Sequence, residues 1–210
     1  MMHQVLETYS SNVLLSGNVR NDIQAFFSAH HDLETLNHTL IVATQARHIA
    51  ELYGADPWKA EQAGLLHDIS NVVPVSEMLN VAKVLSIDIM DEEYTYDRIV
   101  HQKLSKAMAK EIFYITDSEI LDAIECHTTF RPEASLMDKV LFVSDKISWE
   151  LPGNHAYLHE IRKKVEDEQR LDEGILIYLN YIWEQRSKLK LVHPWLIQAR
   201  EELLQKGLCI

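Results

Sequence analysis

Glycine and proline are scarce, with six and five in a chain of 210 residues. The glycine share lies well below the ~7% of an average protein. So little punctuation leaves room for few tight turns, which disfavours many short strands and favours helices. Cysteine is nearly absent: Cys126 and Cys209 lie far apart and lack zinc-ligand spacing. That excludes a disulfide framework and suits a reducing compartment, so a cytoplasmic location is expected. Basic residues are also short, 20 against 32 acidic ones, for a formal charge of -12. Nucleic-acid binding rests on Lys and Arg neutralising phosphates, so no nucleic-acid partner is expected. A small anionic substrate is still allowed, because a bound cation with a few basic groups holds phosphate inside an acidic protein. No run approaches ~18 apolar residues, so no membrane span is expected. The start, Met1-Met2-His3-Gln4, shows no basic region followed by an apolar segment, so no signal peptide is read there.

What is present is an apolar share of 47%, enough for a substantial core. Apolar residues recur at helical spacing along most of the chain. The expected helices cover about 19–30, 34–53, 57–70, 75–88, 99–113, 118–126, 135–147, 156–167, 171–188 and 194–206, with residues 1–17 irregular. Gly54 followed by Asp56-Pro57 reads as a helix stop, an N-cap and a first helical turn. Val140-Leu141-Phe142-Val143 is β-branched and aromatic enough for a strand, but its neighbours are helical in pattern and a helix is preferred. Nothing marks a second domain. The expectation is one domain over 1–210, with a core at about 19–150 and C-terminal helices at about 156–206.

Chemistry concentrates in Ala63-Gly64-Leu65-Leu66-His67-Asp68-Ile69, an apolar run ending in a His-Asp pair. A carboxylate in apolar surroundings is costly unless paired or metal-bound. His38, His101, His127 and Asp145 each lie beside an apolar helical stripe. Imidazole and carboxylate are both common metal ligands, and the six residues read as a helical cage around one ion. The adjacent His30-His31 diverge on a helix and read as a helix end. A mixed imidazole and carboxylate set suits a six-coordinate ion such as Fe, Mn, Co or Mg better than a closed zinc site.

Three stretches carry a resemblance: the one above, Ala123-Ile124-Glu125-Cys126-His127-Thr128-Thr129-Phe130-Arg131-Pro132, and Asp138-Lys139-Val140-Leu141-Phe142-Val143-Ser144-Asp145-Lys146-Ile147. With Leu171-Asp172-Glu173-Gly174 and His193-Pro194-Trp195-Leu196-Ile197-Gln198-Ala199-Arg200, they resemble the YqeK family of the HD superfamily of metal-dependent phosphohydrolases over roughly residues 19–206. The resemblance implies an all-α fold, a single HD-domain helical bundle with a C-terminal helical extension. It implies hydrolysis of phosphoric anhydrides, with diadenosine tetraphosphate cut symmetrically into two ADP, at an iron-type divalent site. His38, His67, Asp68 and Asp145 would be metal ligands. Asp68, His101 and His127 would be catalytic, with His101, His127 and Thr128 on the substrate phosphates. His101 and His127 are alternatively ligands of a second metal.

The chain departs from the family pattern where Asn71 replaces a lysine, where Phe130 replaces a glycine, and where Ser148-Trp149-Glu150-Leu151-Pro152 replaces an acidic-Pro-x-Arg segment. Both missing cations would lie near phosphates. Arg131, Lys146 and Lys103 are the candidate replacements, with Asn71 as a neutral contact and Trp149 as a stacking face or a rim aromatic. The alternative functions are a nucleotidase acting on a mononucleotide, and a regulatory protein that binds metal and nucleotide with little turnover. A homodimer is the base-rate oligomer.

Overall fold

The computed structural model describes residues 2–10, 13–149 and 155–208. The described residues contain helices and turns and no strand. In chain order the helices are α1 Gln4–Ser10, α2 Val19–Ala29, α3 Leu33–Tyr53, α4 Pro57–Leu66, α5 Val75–Val84, α6 His101–Glu111, α7 Ser118–Cys126, α8 Leu136–Ile147, α9 Ala156–Arg162, α10 Leu171–Glu184 and α11 Pro194–Gln205. The all-α expectation is met.

The longest packed interface joins α3 and α4. Gly54 ends α3 in the left-handed conformation at φ 72°. Asp56 then caps α4 by accepting the backbone N–H groups of Trp58 at 2.9 Å and Lys59 at 3.2 Å. Gly64 lets the two backbones close: a Cβ there would stand 2.6 Å from Ala43 Cα. One turn beyond this contact is His67.

Helix α8 runs through the middle. A capping box starts it, with Ser135 N–H donating to Asp138 Oδ2 at 2.9 Å and Asp138 N–H donating to Ser135 Oγ at 3.1 Å. From Met137 to Ser148 every residue except Lys139 is buried. A helix apolar on all sides is a helix surrounded by others, which explains why Val140–Val143 also fits a strand pattern. Helices α3, α4, α7 and α10 pack around α8. Among the described residues, no helix is long and apolar enough to cross a membrane.

Two expectations about boundaries need correction. Residues 1–17 include the helix α1, which tertiary docking holds: Leu6 is fully buried and His30 Nε2 bonds the Tyr9 carbonyl at 2.8 Å. The helix expected over 57–70 stops at Leu66, and a 3-10 turn follows at Ile69–Val72. Asp68, at φ -114° and ψ 16°, makes the break. Neighbouring residues on a regular helix point about 100° apart. The break lets His67 and Asp68 converge, with Nε2 and Oδ2 3.6 Å apart.

Candidate metal centre

Six side chains from five helix ends and turns meet at the side of α8. His38 comes from α3, His67 and Asp68 from the end of α4, His101 from the start of α6, His127 from the end of α7 and Asp145 from α8. His38 Nε2 lies 3.0 Å from Asp145 Oδ1, and His67 Nε2 lies 3.7 Å from the same oxygen. Asp68 Oδ1 faces His101 Nε2 at 3.3 Å and His127 Nε2 at 3.4 Å. Two groups of donors result: His38, His67 and Asp145, then His67, Asp68 and His127, each within 4.8 Å.

Three of the imidazoles are locked by one local device. Nδ1 of His67, His101 and His127 bonds the carbonyl three residues earlier, at Gly64, Arg98 and Ile124, over 2.7, 2.8 and 2.8 Å. A carbonyl only accepts, so each Nδ1 carries a proton and each neutral ring turns a bare Nε2 lone pair inward. The His101 and His127 Nε2 atoms then face each other at 3.1 Å. His67 Nε2 and Asp68 Oδ1 are buried without a hydrogen-bond partner. Buried acceptors converging on acceptors are costly unless a cation lies among them. This donor set therefore fits a divalent metal.

The electrostatics are those of a site held charged. Burial works to raise the Asp68 carboxyl, but the His67 imidazole, with those of His101 and His127 beside it, outweighs this whenever the rings carry a proton and holds the carboxyl well below the usual range. Burial likewise opposes ionisation of Asp145, yet Lys146 and His38 hold it low. Burial pushes the His127 imidazole down to about 4, so it is neutral at pH 7.

Around this centre opens a cavity of about 270 Å³, lined by Thr35, His38, Asp68, Asn71, Arg98 and Trp149 among others. Thr128 is brought in, with Oγ1 3.1 Å from His101 Nε2. Trp149 is half exposed and tilts over His38, the ring centroids 4.2 Å apart. Asn71 lines the cavity, its Oδ1 buried and unpartnered.

The expected replacement cations are engaged elsewhere. Arg131 pairs with Asp138 through Nε at 2.9 Å and a terminal nitrogen at 2.8 Å. Lys103 is buried against Glu93 at 2.6 Å and the Asp88 carbonyl at 2.8 Å. Lys146 is buried on Asp145 Oδ2 at 2.7 Å, with the Phe142 and Tyr178 rings nearby. Of the Ser148–Pro152 departure, Glu150, Leu151 and Pro152 lie outside the described residues.

Sequence reasoning missed Arg98 and Gln102. Arg98 is three residues before His101, one turn away on the same side, a spacing that was there to be read. Gln102 Oε1 accepts the Thr128 and Thr129 N–H groups at 3.2 and 3.3 Å, holding the loop after His127. Phe130 explains its own departure from glycine. Its φ is 58°, a conformation that glycine adopts without strain. Burial of the ring against Phe142, at 4.8 Å between centroids, offsets that local cost.

The model of the HD domain family matches residues 35–150, more than half of the chain and all six converging residues. The chain belongs to the HD-domain family. An HD domain implies a divalent metal held by His and Asp groups, and such groups are assembled here. A Lactococcus lactis subsp. cremoris relative, described as an uncharacterized protein in the pepC 5' region, is 38% identical over 67% of this chain and 70% of its own length. The symmetrical bis(5'-nucleosyl)-tetraphosphatase of Bacillus subtilis is 31% identical over 77% of this HD protein and 89% of its own chain. A crystal structure from Clostridium acetobutylicum, of a predicted HD superfamily hydrolase involved in NAD metabolism, superposes with a TM-score of 0.80. It is 27% identical and covers 89% of this chain and 97% of that one.

Proposed function

We propose that this HD protein is a metal-dependent phosphohydrolase that cleaves dinucleoside tetraphosphates symmetrically, diadenosine tetraphosphate giving two ADP. The observation that carries the metal dependence is the pair of orphaned buried acceptors, His67 Nε2 and Asp68 Oδ1, at the meeting point of the locked imidazoles. The substrate class is supported by the Bacillus subtilis relative, which is named for that activity and aligns over most of both chains. Its site of action in this reading is the cytoplasm, in line with a buried, free Cys126.

His38, His67, Asp68 and Asp145 hold the ion, and iron is the metal we assign, with Mn, Co or Mg as substitutes. When bound, such an ion lowers the pKa of a water towards neutrality and neutralises the phosphoryl oxygens under attack. The chain supplies the rest. Asp68, held ionised, accepts a hydrogen bond from the attacking water and fixes its direction. His127 is neutral at pH 7 and acts as an acceptor, and His101 steadies phosphate charge or, once its Nε2 has taken up a proton, passes that proton to the departing phosphate. The Thr128 hydroxyl beside His101 donates to a phosphate oxygen. A second reading, favoured by the 3.1 Å contact between two Nε2 atoms, has His101 and His127 as ligands of a second divalent ion.

Incubation of metal-loaded protein with diadenosine tetraphosphate and a panel of mononucleotides separates the readings. ADP as sole product is expected. Inorganic phosphate released from a mononucleotide would make the protein a nucleotidase, and tight binding without product would make it a regulatory binder.

A further inference from the structure

We propose that Arg98 holds a substrate phosphate in this chain, taking over the charge that Asn71 does not carry, and thereby sets which way a nucleotide lies in the cavity. The proposal rests on the phosphohydrolase reading and names one of its specificity-determining residues. The argument is a census of cations around the centre. Lys146 is paired with Asp145, Lys103 with Glu93, Arg131 with Asp138, and Arg162 donates to the Ile147 carbonyl. Arg98 alone among them lines the cavity with an exposed side chain, and no described residue forms an ion pair or hydrogen bond with its guanidinium.

The backbone of Arg98 is pinned to the centre while its side chain is free. Its carbonyl accepts the His101 Nδ1–H at 2.8 Å, and the next two residues, Ile99 and Val100, are buried. The Arg98 backbone is thus held at a set offset from an inward-facing imidazole, and the guanidinium is free to swing to a ligand in the cavity. Its planar fork of donors matches two oxygens of one phosphate.

The cavity also holds carboxylates, from Asp32 and Glu34. Asp32 is committed to the start of α3, accepting the Thr35 N–H at 3.0 Å. A polyphosphate is repelled by these acids and drawn to Arg98, so the lining gives the bound chain a direction. A lysine at position 71 is not needed when an arginine three residues before His101 reaches the same space.

The test compares metal-loaded wild type, Arg98→Ala and Arg98→Lys. Each is titrated with ADP by calorimetry, analysed for metal content and assayed on diadenosine tetraphosphate. Arg98→Ala is expected to keep its metal and lose ADP affinity by about ten-fold or more, the scale of charge-assisted hydrogen bonds. Its KM should rise by more than its kcat falls, and Arg98→Lys should recover part of the affinity. Unchanged ADP affinity in Arg98→Ala overturns the proposal, as does a wild type that fails to bind ADP. If the wild type binds ADP through Arg98 but leaves the tetraphosphate intact, the substrate reading fails and the phosphate role stands.

Discussion

Among the described residues lie two buried clusters of histidine and carboxylate, one electrostatically closed and one not. Glu93, Lys103 and His193 are buried together. Lys103 bonds Glu93 Oε2 at 2.6 Å, and His193 Nε2 lies 3.2 Å from Glu93 Oε1. The other His193 nitrogen accepts the Trp195 N–H at 3.2 Å and so caps α11. Each charge has its opposite and each ring nitrogen has one role. At the HD centre the same residue types are turned so that acceptors face acceptors, with His67 Nε2 and Asp68 Oδ1 unpartnered. Residue type alone does not distinguish a structural network from a metal site. The direction in which the lone pairs are locked does.

The largest expected break in this contrast is Asp68→Ala. It should abolish metal binding and lower hydrolysis by well over ~100-fold, since even residues behind a metal ligand cost 10–100-fold. Metal analysis and a rate assay check it. Next is Lys103→Met in the closed cluster, which leaves a buried carboxylate short of its main partner. It should destabilise the fold by about 3 kcal/mol while metal content per folded protein stays at the wild-type level, as read by denaturant unfolding and metal analysis.

Acid should separate the clusters in the metal-free protein. His127 titrates at about 4 when folded, below the ~6.5 of an unperturbed histidine. Its contribution is complete above pH ~6.5 and is lost as pH falls towards 4, because the unfolded chain takes up a proton the folded one refuses. The loss is about 3 kcal/mol. Burial would raise Glu93, but bonds from His193 and Lys103 hold it below its ordinary value. Its contribution is present above pH ~4.3 and goes only below that. Urea midpoints across pH 7 to 4 should therefore fall in wild type, and the fall above pH 4.5 should persist in Glu93→Gln. The smallest effect is expected from Gly64→Ala, where the new Cβ meets the Ala43 backbone. Overpacking of this kind costs about 1–3 kcal/mol. Because the Gly64 carbonyl holds His67, metal affinity should weaken as well, with the Glu93 cluster unaffected.

How much of this was legible in the sequence follows the same contrast. Helical periodicity and the shortage of glycine sufficed for the all-α class. The strand-like run at Val140–Val143 resolved as the central helix because a fully surrounded helix loses its polar face. The six converging residues were legible as a set. Their convergence depends on a helix break at Asp68 that no proline or glycine marks in advance, and on backbone carbonyls that composition does not show. The cations were misjudged for a related reason. Lys103 was a candidate for phosphate because nothing in the sequence ties it to Glu93, ten residues before it, or ties Glu93 to His193, 100 residues further on. Arg98, the free one, gave only a three-residue spacing to His101.

The most direct test of the account is an anaerobic calorimetric titration of ferrous iron into metal-free protein at pH 7, run on wild type, Asp68→Ala and Lys103→Met. The account predicts saturable binding to wild type and Lys103→Met, and none to Asp68→Ala. Absence of binding to wild type, or equal binding to Asp68→Ala, would contradict it.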